Sequence, residues 1–213
     1  MERVNFSSCT LASLEEKFHL DPVLQLDVLD DWLDTKITTS HIEQQQLEHF
    51  RNLLSKNVLH WNEYELSLNF IGPVFGLVEF TDKKFNFFAQ RSLSAFIEEI
   101  ELFGKIDGMI ASGFRAPKLP YFAFHEFKKE ADSSGDPAGQ NLAAMLVGQA
   151  LNDHQIPIYG CYVNGRNWHF MALEDRKYCI SEAYSSTSKT DVLDIFRILK
   201  GLKKMILDRV ENS

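Results

Sequence analysis

Residues 137–152, PAGQNLAAMLVGQALN, constrain the fold more than any other stretch of the chain. Asp136 is a good helix cap and Pro137 suits a first helical position. Apolar side chains occupy nearly all sides of this helix, so it must be buried rather than laid on a surface. The segments on either side of it read as strands. After it come IPIYGCYV, NWHFMALE and KYCISEAYSS, separated by the turn pairs Asn164-Gly165 and Asp175-Arg176. Before it, from Val74 to Phe124, aromatic and β-branched residues come in short runs broken by Asp-Lys, Asp-Gly, Ser-Gly and Ala-Pro. These predict an antiparallel meander with strands near 74–80, 84–90, 93–99, 106–111 and 120–128. The buried helix then packs against the sheet.

Both ends of the chain are helical in pattern. Residues 21–34 open with Asp21-Pro22 and place Leu26, Leu29, Trp32 and Leu33 at helical spacing. Residues 41–57 repeat the pattern through Leu47, Phe50, Leu53 and Leu54, and 61–71 form a third helix that Gly72 and Pro73 should end. In 190–210 one stripe holds Val192, Ile195, Phe196, Leu199, Leu202 and Ile206, while Arg197, Lys200, Lys203 and Lys204 decorate the rest. The expected class is α/β (α+β), a mixed central sheet flanked by helices. Residues 1–60 form an acidic helical extension and 61–213 the main domain.

Charge sharpens that division. Of the net charge of -8, residues 1–65 hold -7, with 12 acidic and 5 basic residues. Asp27, Asp30, Asp31 and Asp34 read as a solvated helix face, or as a face that docks a basic protein partner or competes with nucleic acid. Three cysteines, odd in number and without a CxxC pair, fit a reducing cytosol. No apolar run approaches the roughly 18 residues of a membrane span, and the start MERVNFSSCT has neither a basic n-region nor an apolar h-region. The expectation is a cytoplasmic protein without a membrane partner.

Chemistry concentrates between Lys105 and Gln140. In a strand, Glu126 and Lys128 leave the same face, about 6.6–6.8 Å apart along the chain, while His125 and Phe127 leave the other. An isolated ExK is usually an ion pair, and Asp107-Gly108 alone is an ordinary turn. Together they say more. A loop holding Gly113, Pro117 and Pro120 lets the two strands lie side by side, bringing Asp107 near Glu126. Carboxylates that close repel unless a cation lies between them, and Mg²⁺ takes one or two carboxylates plus waters and phosphate oxygens. Lys128 would then orient or help deprotonate a water, or stabilise charge on a phosphate.

Asp107, a loop, Glu126-Phe127-Lys128 after an apolar strand, and a helix bearing Gln140 resemble the PD-(D/E)XK nuclease superfamily, with its restriction-endonuclease-like fold. The resemblance covers roughly Trp61 to Ser185. The run WNEYELSLNFIGP resembles the opening helix of small uncharacterised bacterial members, and Ile106 stands where the motif's name has proline. The resemblance implies that Asp107, Glu126 and the Phe127 carbonyl bind Mg²⁺ (or Mn²⁺) and that Lys128 assists the water. It also implies a polar residue from the following helix, Gln140, and an acid from the preceding one, for which Glu65 is the better match and Glu63 the second choice. The implied activity is hydrolysis of DNA phosphodiester bonds by metal-activated water, with a homodimer favoured for double-strand cleavage. The alternative is a catalytically silent module of the same fold that binds nucleic acid or a protein. No basic channel is evident, so phosphate contacts fall to Arg115, Lys118, Lys129 and the last helix.

Overall fold

The computed structural model describes residues 2–132 and 135–211. The chain begins with strand β1 (Glu2–Asn5), a 3₁₀ turn (Phe6–Ser8), helix α1 (Leu11–Phe18), strand β2 (Asp21–Pro22) and helices α2 (Asp27–Leu33) and α3 (His41–Asn57). Next comes a continuous helical stretch made of α4 (Glu63–Leu66), a π-helical turn (Ser67–Ile71) and α5 (Gly72–Val78). The strands β3 (Phe85–Ile97), β4 (Ile100–Ser112) and β5 (Lys118–Lys128) follow as an antiparallel meander, and then helix α6 (Pro137–Leu151). Strands β6 (Ile158–Asn164), β7 (Asn167–Glu174), β8 (Lys177–Ile180) and β9 (Tyr184–Ser185) precede the closing helix α7 (Asp191–Glu211).

Among the described residues all nine strands join one mixed sheet, along the path β1-β4-β5-β6-β7-β8-β2. Strand β3 runs along one edge of β4, and β9 pairs with the start of β7. Strands β5 and β6 are parallel, which requires the crossover that α6 supplies. Helices α2, α3, α5 and α7 cover one face, around Trp32, Phe70, Phe75, Trp168, Phe170 and Phe196. The 3₁₀ turn, α1 and α6 cover the other, around Phe124, Met109 and Met145. The central helix forms as its sequence predicts, with the Asp136 carboxylate accepting from Gly139 N at 3.0 Å. It lies so close to the sheet that a Cβ on Gly148 would fall 2.2 Å from the Phe124 ring.

Four expectations are corrected. Residues 74–80 are not a strand: Val74, Phe75 and Val78 form the buried side of α5, which ends at Glu79 in the left-handed conformation. Aromatic and β-branched composition points to a strand, but the spacing of these three residues is helical. Gly72 and Pro73 do not end the preceding helix, because the π turn pairs Gly72 N with Ser67 O and shifts the bonding register just before proline removes a donor. The strands expected at 84–90 and 93–99 are one, β3, whose ladder skips Gln90 and resumes at Arg91. Asp21-Pro22 does not cap a helix. It pairs as an edge strand with Lys177–Tyr178, where a missing N–H is tolerated, and α2 starts at Asp27.

Residues 2–33 supply strands β1 and β2, which join the sheet beside β4 and β8, and parts of both layers. Asp27, Asp30, Asp31 and Asp34 are solvated, while Trp32 on the same helix is fully buried. Its indole meets Tyr159 and Phe170 edge-on and donates from Nε1 to the Ile198 carbonyl at 2.8 Å. Trp32→Ala is therefore expected to destabilise the fold by about 3–5 kcal/mol through the cavity it leaves, read from urea unfolding. The three cysteines are free and buried. Among the described residues no helix is long and apolar enough to cross a membrane.

Candidate functional site

The site lies where β4 and β5 part. Their ladder runs from Ser112↔Lys118 to Gly108↔His125 and stops, while β5 stays paired with β6 as far as Lys128↔Asn164. Asp107 fills the opening. The β3–β4 ladder passes over it and over Gln90 opposite, whose φ of 55° places it in the left-handed region. Freed from regular pairing, the Asp107 carboxylate accepts from Phe127 N at 2.8 Å through Oδ2 and from Gln90 Nε2 at 2.6 Å through Oδ1. A side chain thus satisfies a strand amide, which holds the two strands apart at a fixed spacing.

Glu126 and Lys128 share a face, as strand alternation dictates, and Lys128 Nζ donates to Glu126 Oε1 at 2.7 Å. Their side chains are 7% and 15% exposed, so the pair is largely removed from water. Glu63, in the first turn of α4, brings its carboxylate to 3.8 Å from the same ammonium. Burial first, and the Asp107 charge next, push Glu126 up to about 7 although Lys128 opposes them. Glu63 is also raised, by burial first, with Lys128 opposing and the charges of Asp107 and Asp132 adding. Burial alone would lower Lys128, but its bond to Glu126 and the charges of Glu126, Glu63 and Asp107 outweigh that and raise it. Acids outnumber cations here, and Glu126, Glu63 and Lys128 all hold their protons more tightly.

The sequence candidates distribute unequally. Asp107, Glu126 and Lys128 come together, Phe127 meets them through its backbone N–H where the resemblance implied its carbonyl, and Glu63 rather than Glu65 joins them. Glu65 is the third residue of α4 and accepts from Asn62 N at 2.8 Å, while Asn62 Oδ1 accepts from Glu65 N at 2.9 Å. This reciprocal capping was legible as Asn62-x-x-Glu65, and it releases Glu63 to face the sheet. Gln140 lies buried in the first turn of α6, beside Gly135, and among the described residues makes no hydrogen bond to Asp107, Glu126 or Lys128. Gln90 had no sequence signal, since its role depends on one strand facing another. His125 points to the opposite face, packed against Phe75 at 4.9 Å, and burial pushes it down to about 3, so it supports the strand as a neutral ring.

Mg²⁺ binding is compatible with the donor set rather than built in. Among the described residues no three His, Cys, Asp or Glu side chains are grouped to hold a metal ion. Two hard carboxylates in a pocket of excess negative charge suit an ion that completes its shell with water and phosphate oxygens, and Gln90 and Lys128 are the groups that would yield. The α7 cations face elsewhere: Arg197 donates to the Leu33 carbonyl, Lys200 to Glu43 and Lys203 to the Val78 carbonyl. Beside Asp107 a pocket of about 490 Å³ opens, walled by Tyr64, Ser67, Phe75, Phe87 and Ala89. No protein-family model and no curated protein matches the chain.

Proposed function

We propose that the protein is a Mg²⁺-dependent phosphodiesterase acting on DNA, a nuclease of the PD-(D/E)XK kind with a restriction-endonuclease-like core. The observation that carries this reading is the meeting of Asp107, Glu126, Lys128 and Glu63 at the split between two strands. The element order supports it: a helix, three antiparallel strands, a helix and a parallel strand. Asp107 and Glu126 would hold the ion, which when bound supplies an acidified water and neutralises phosphate charge. Gln90 and the Phe127 amide fix the Asp107 carboxylate in place. Lys128 keeps its proton, so its ammonium stabilises charge on the phosphate and orients the water rather than abstracting a proton. Attack by water forms one P–O bond as the P–O bond to the sugar breaks, the water gives up a proton to solvent, and the departing sugar oxygen takes one from solvent.

The test is cleavage of plasmid and single-stranded DNA in Mg²⁺ or Mn²⁺, with Asp107→Ala and Glu126→Gln beside the wild type. Each variant is expected to lose at least about 10²-fold in rate. Equal inertness of all three proteins would refute the catalytic reading. One observation favours the silent-module alternative: both Asp107 oxygens and Glu126 Oε1 already have partners within the chain. Calorimetry separates the two, because a silent module predicts no Mg²⁺ binding for Glu126→Gln to remove.

A further inference from the structure

The pocket beside Asp107 has a chemistry that the carboxylates do not explain. Glu63 and Asp107 stand at its edge, and its walls are the rings of Phe75 and Phe87 with Ile71, Ala89 and Gly72. Tyr64, on the exposed side of α4, holds its side chain at the mouth with the residue 74% exposed. An aromatic rim, an apolar floor and an acidic edge within about 490 Å³ form a space for a flat, partly polar ring system joined to something that meets the carboxylates.

Charge decides what kind of nucleic acid could use it. Around the site the acids Glu63, Asp107, Glu126 and Asp132 outnumber the cations Lys128 and Lys129. Duplex DNA is gripped mainly through its phosphates by clustered Lys and Arg, and that footprint is absent from these surroundings. Stacking on aromatic side chains does not depend on net charge and contributes on the order of tenfold in affinity per base. A base inside a duplex is paired and stacked and cannot enter such a pocket without leaving the helix.

We infer that the pocket walled by Tyr64, Phe75 and Phe87 receives one unpaired nucleobase adjacent to the scissile phosphate, so that the substrate is single-stranded or frayed DNA rather than intact duplex. This rests on the nuclease reading for the phosphate, but the base site has its own readout. Tyr64 stacks on the outer face of the base, and the base plane sets the neighbouring phosphate against Asp107 at the pocket edge, the carboxylate between the pocket and Glu126.

A single-stranded oligonucleotide carrying one 2-aminopurine is titrated with the full chain in Mg²⁺, following fluorescence, and cleavage of the same strand is read on a gel. Wild type is expected to quench the probe and to bind the strand roughly tenfold or more tighter than its duplex. Ala89→Trp, which fills the pocket from an exposed strand position, should abolish the quenching and that preference, and Tyr64→Ala should weaken binding about threefold to tenfold. Unchanged melting temperatures establish that both variants fold. Equal affinity for strand and duplex, or quenching that survives Ala89→Trp, overturns the inference. Quenching without cleavage sustains the base site and defeats the nuclease reading, whereas duplex cleavage without quenching does the reverse.

Discussion

Lys128→Met is expected to lower phosphodiester cleavage by roughly 10²- to 10³-fold while leaving Mg²⁺ affinity intact or stronger. The ammonium is bonded to Glu126 at 2.7 Å and stands 3.8 Å from Glu63, so on the proposed function it would compete with a metal for the same oxygens. Removing it frees Glu126 Oε1 but takes away the donor that meets the phosphate. It also leaves Glu126 buried without a cation, which costs on the order of 3 kcal/mol at pH 8 and less at pH 6, where the carboxyl accepts a proton. Single-turnover cleavage and calorimetry on the same variant separate these effects. If metal binding disappears together with cleavage, Lys128 is a scaffold for the carboxylates and its electrostatic role is wrong.

The second large effect is a dependence of stability on pH that Mg²⁺ reverses. Glu126 ionises at about 7 in the fold against an ordinary 4.5 in the unfolded chain. Below pH 4.5 both states are protonated and the contribution is fully present. Between 4.5 and 7 only the unfolded chain releases its proton, so metal-free stability falls by an amount on the order of 3 kcal/mol, and above 7 the loss is complete. On the proposed function a divalent ion would bind the ionised carboxylate, so its stabilisation should be small at pH 5 and large at pH 8. Scanning calorimetry at four pH values, in EDTA and in millimolar Mg²⁺, reads both slopes. Glu126→Gln should flatten both curves. A mutant that keeps the wild-type pH slope would place the buried proton on another group.

The site was half legible before any coordinates. Strand alternation put Glu126 and Lys128 on one face and His125 on the other, and the Asp136-Pro137 start located α6, because these are local rules of two and four residues. The family resemblance favours Glu65 over Glu63, but Asn62-x-x-Glu65 is itself a local capping pattern and commits Glu65 to the helix start. The structure draws in Gln90 and the apolar pocket through pairing across β3, β4 and α5, and no window on a single strand contains that information. The same limit explains the strand expected over 74–80. Val74, Phe75 and Val78 suit either a strand or a helix, and the choice is made by Phe87, His125 and Trp168, whose rings pack against Phe75 from distant parts of the chain.

The two earliest strands also set an order of assembly. Glu2–Asn5 pairs with Ile100–Phe103, and Asp21–Pro22 with Lys177–Tyr178, so segments made early on the ribosome wait for partners made much later. Phe6, Leu14 and Phe18 likewise find their cover only when α6 has emerged. Pairings this distant in sequence are slow, since closure entropy is lost before any contact offsets it. Until then the nascent front segment exposes apolar side chains beside a surface rich in aspartate. Asp27, Asp30, Asp31 and Asp34 stay solvated in the finished fold, so the early segment carries like charges that oppose close approach of a second copy while β1 and β2 wait for their partners.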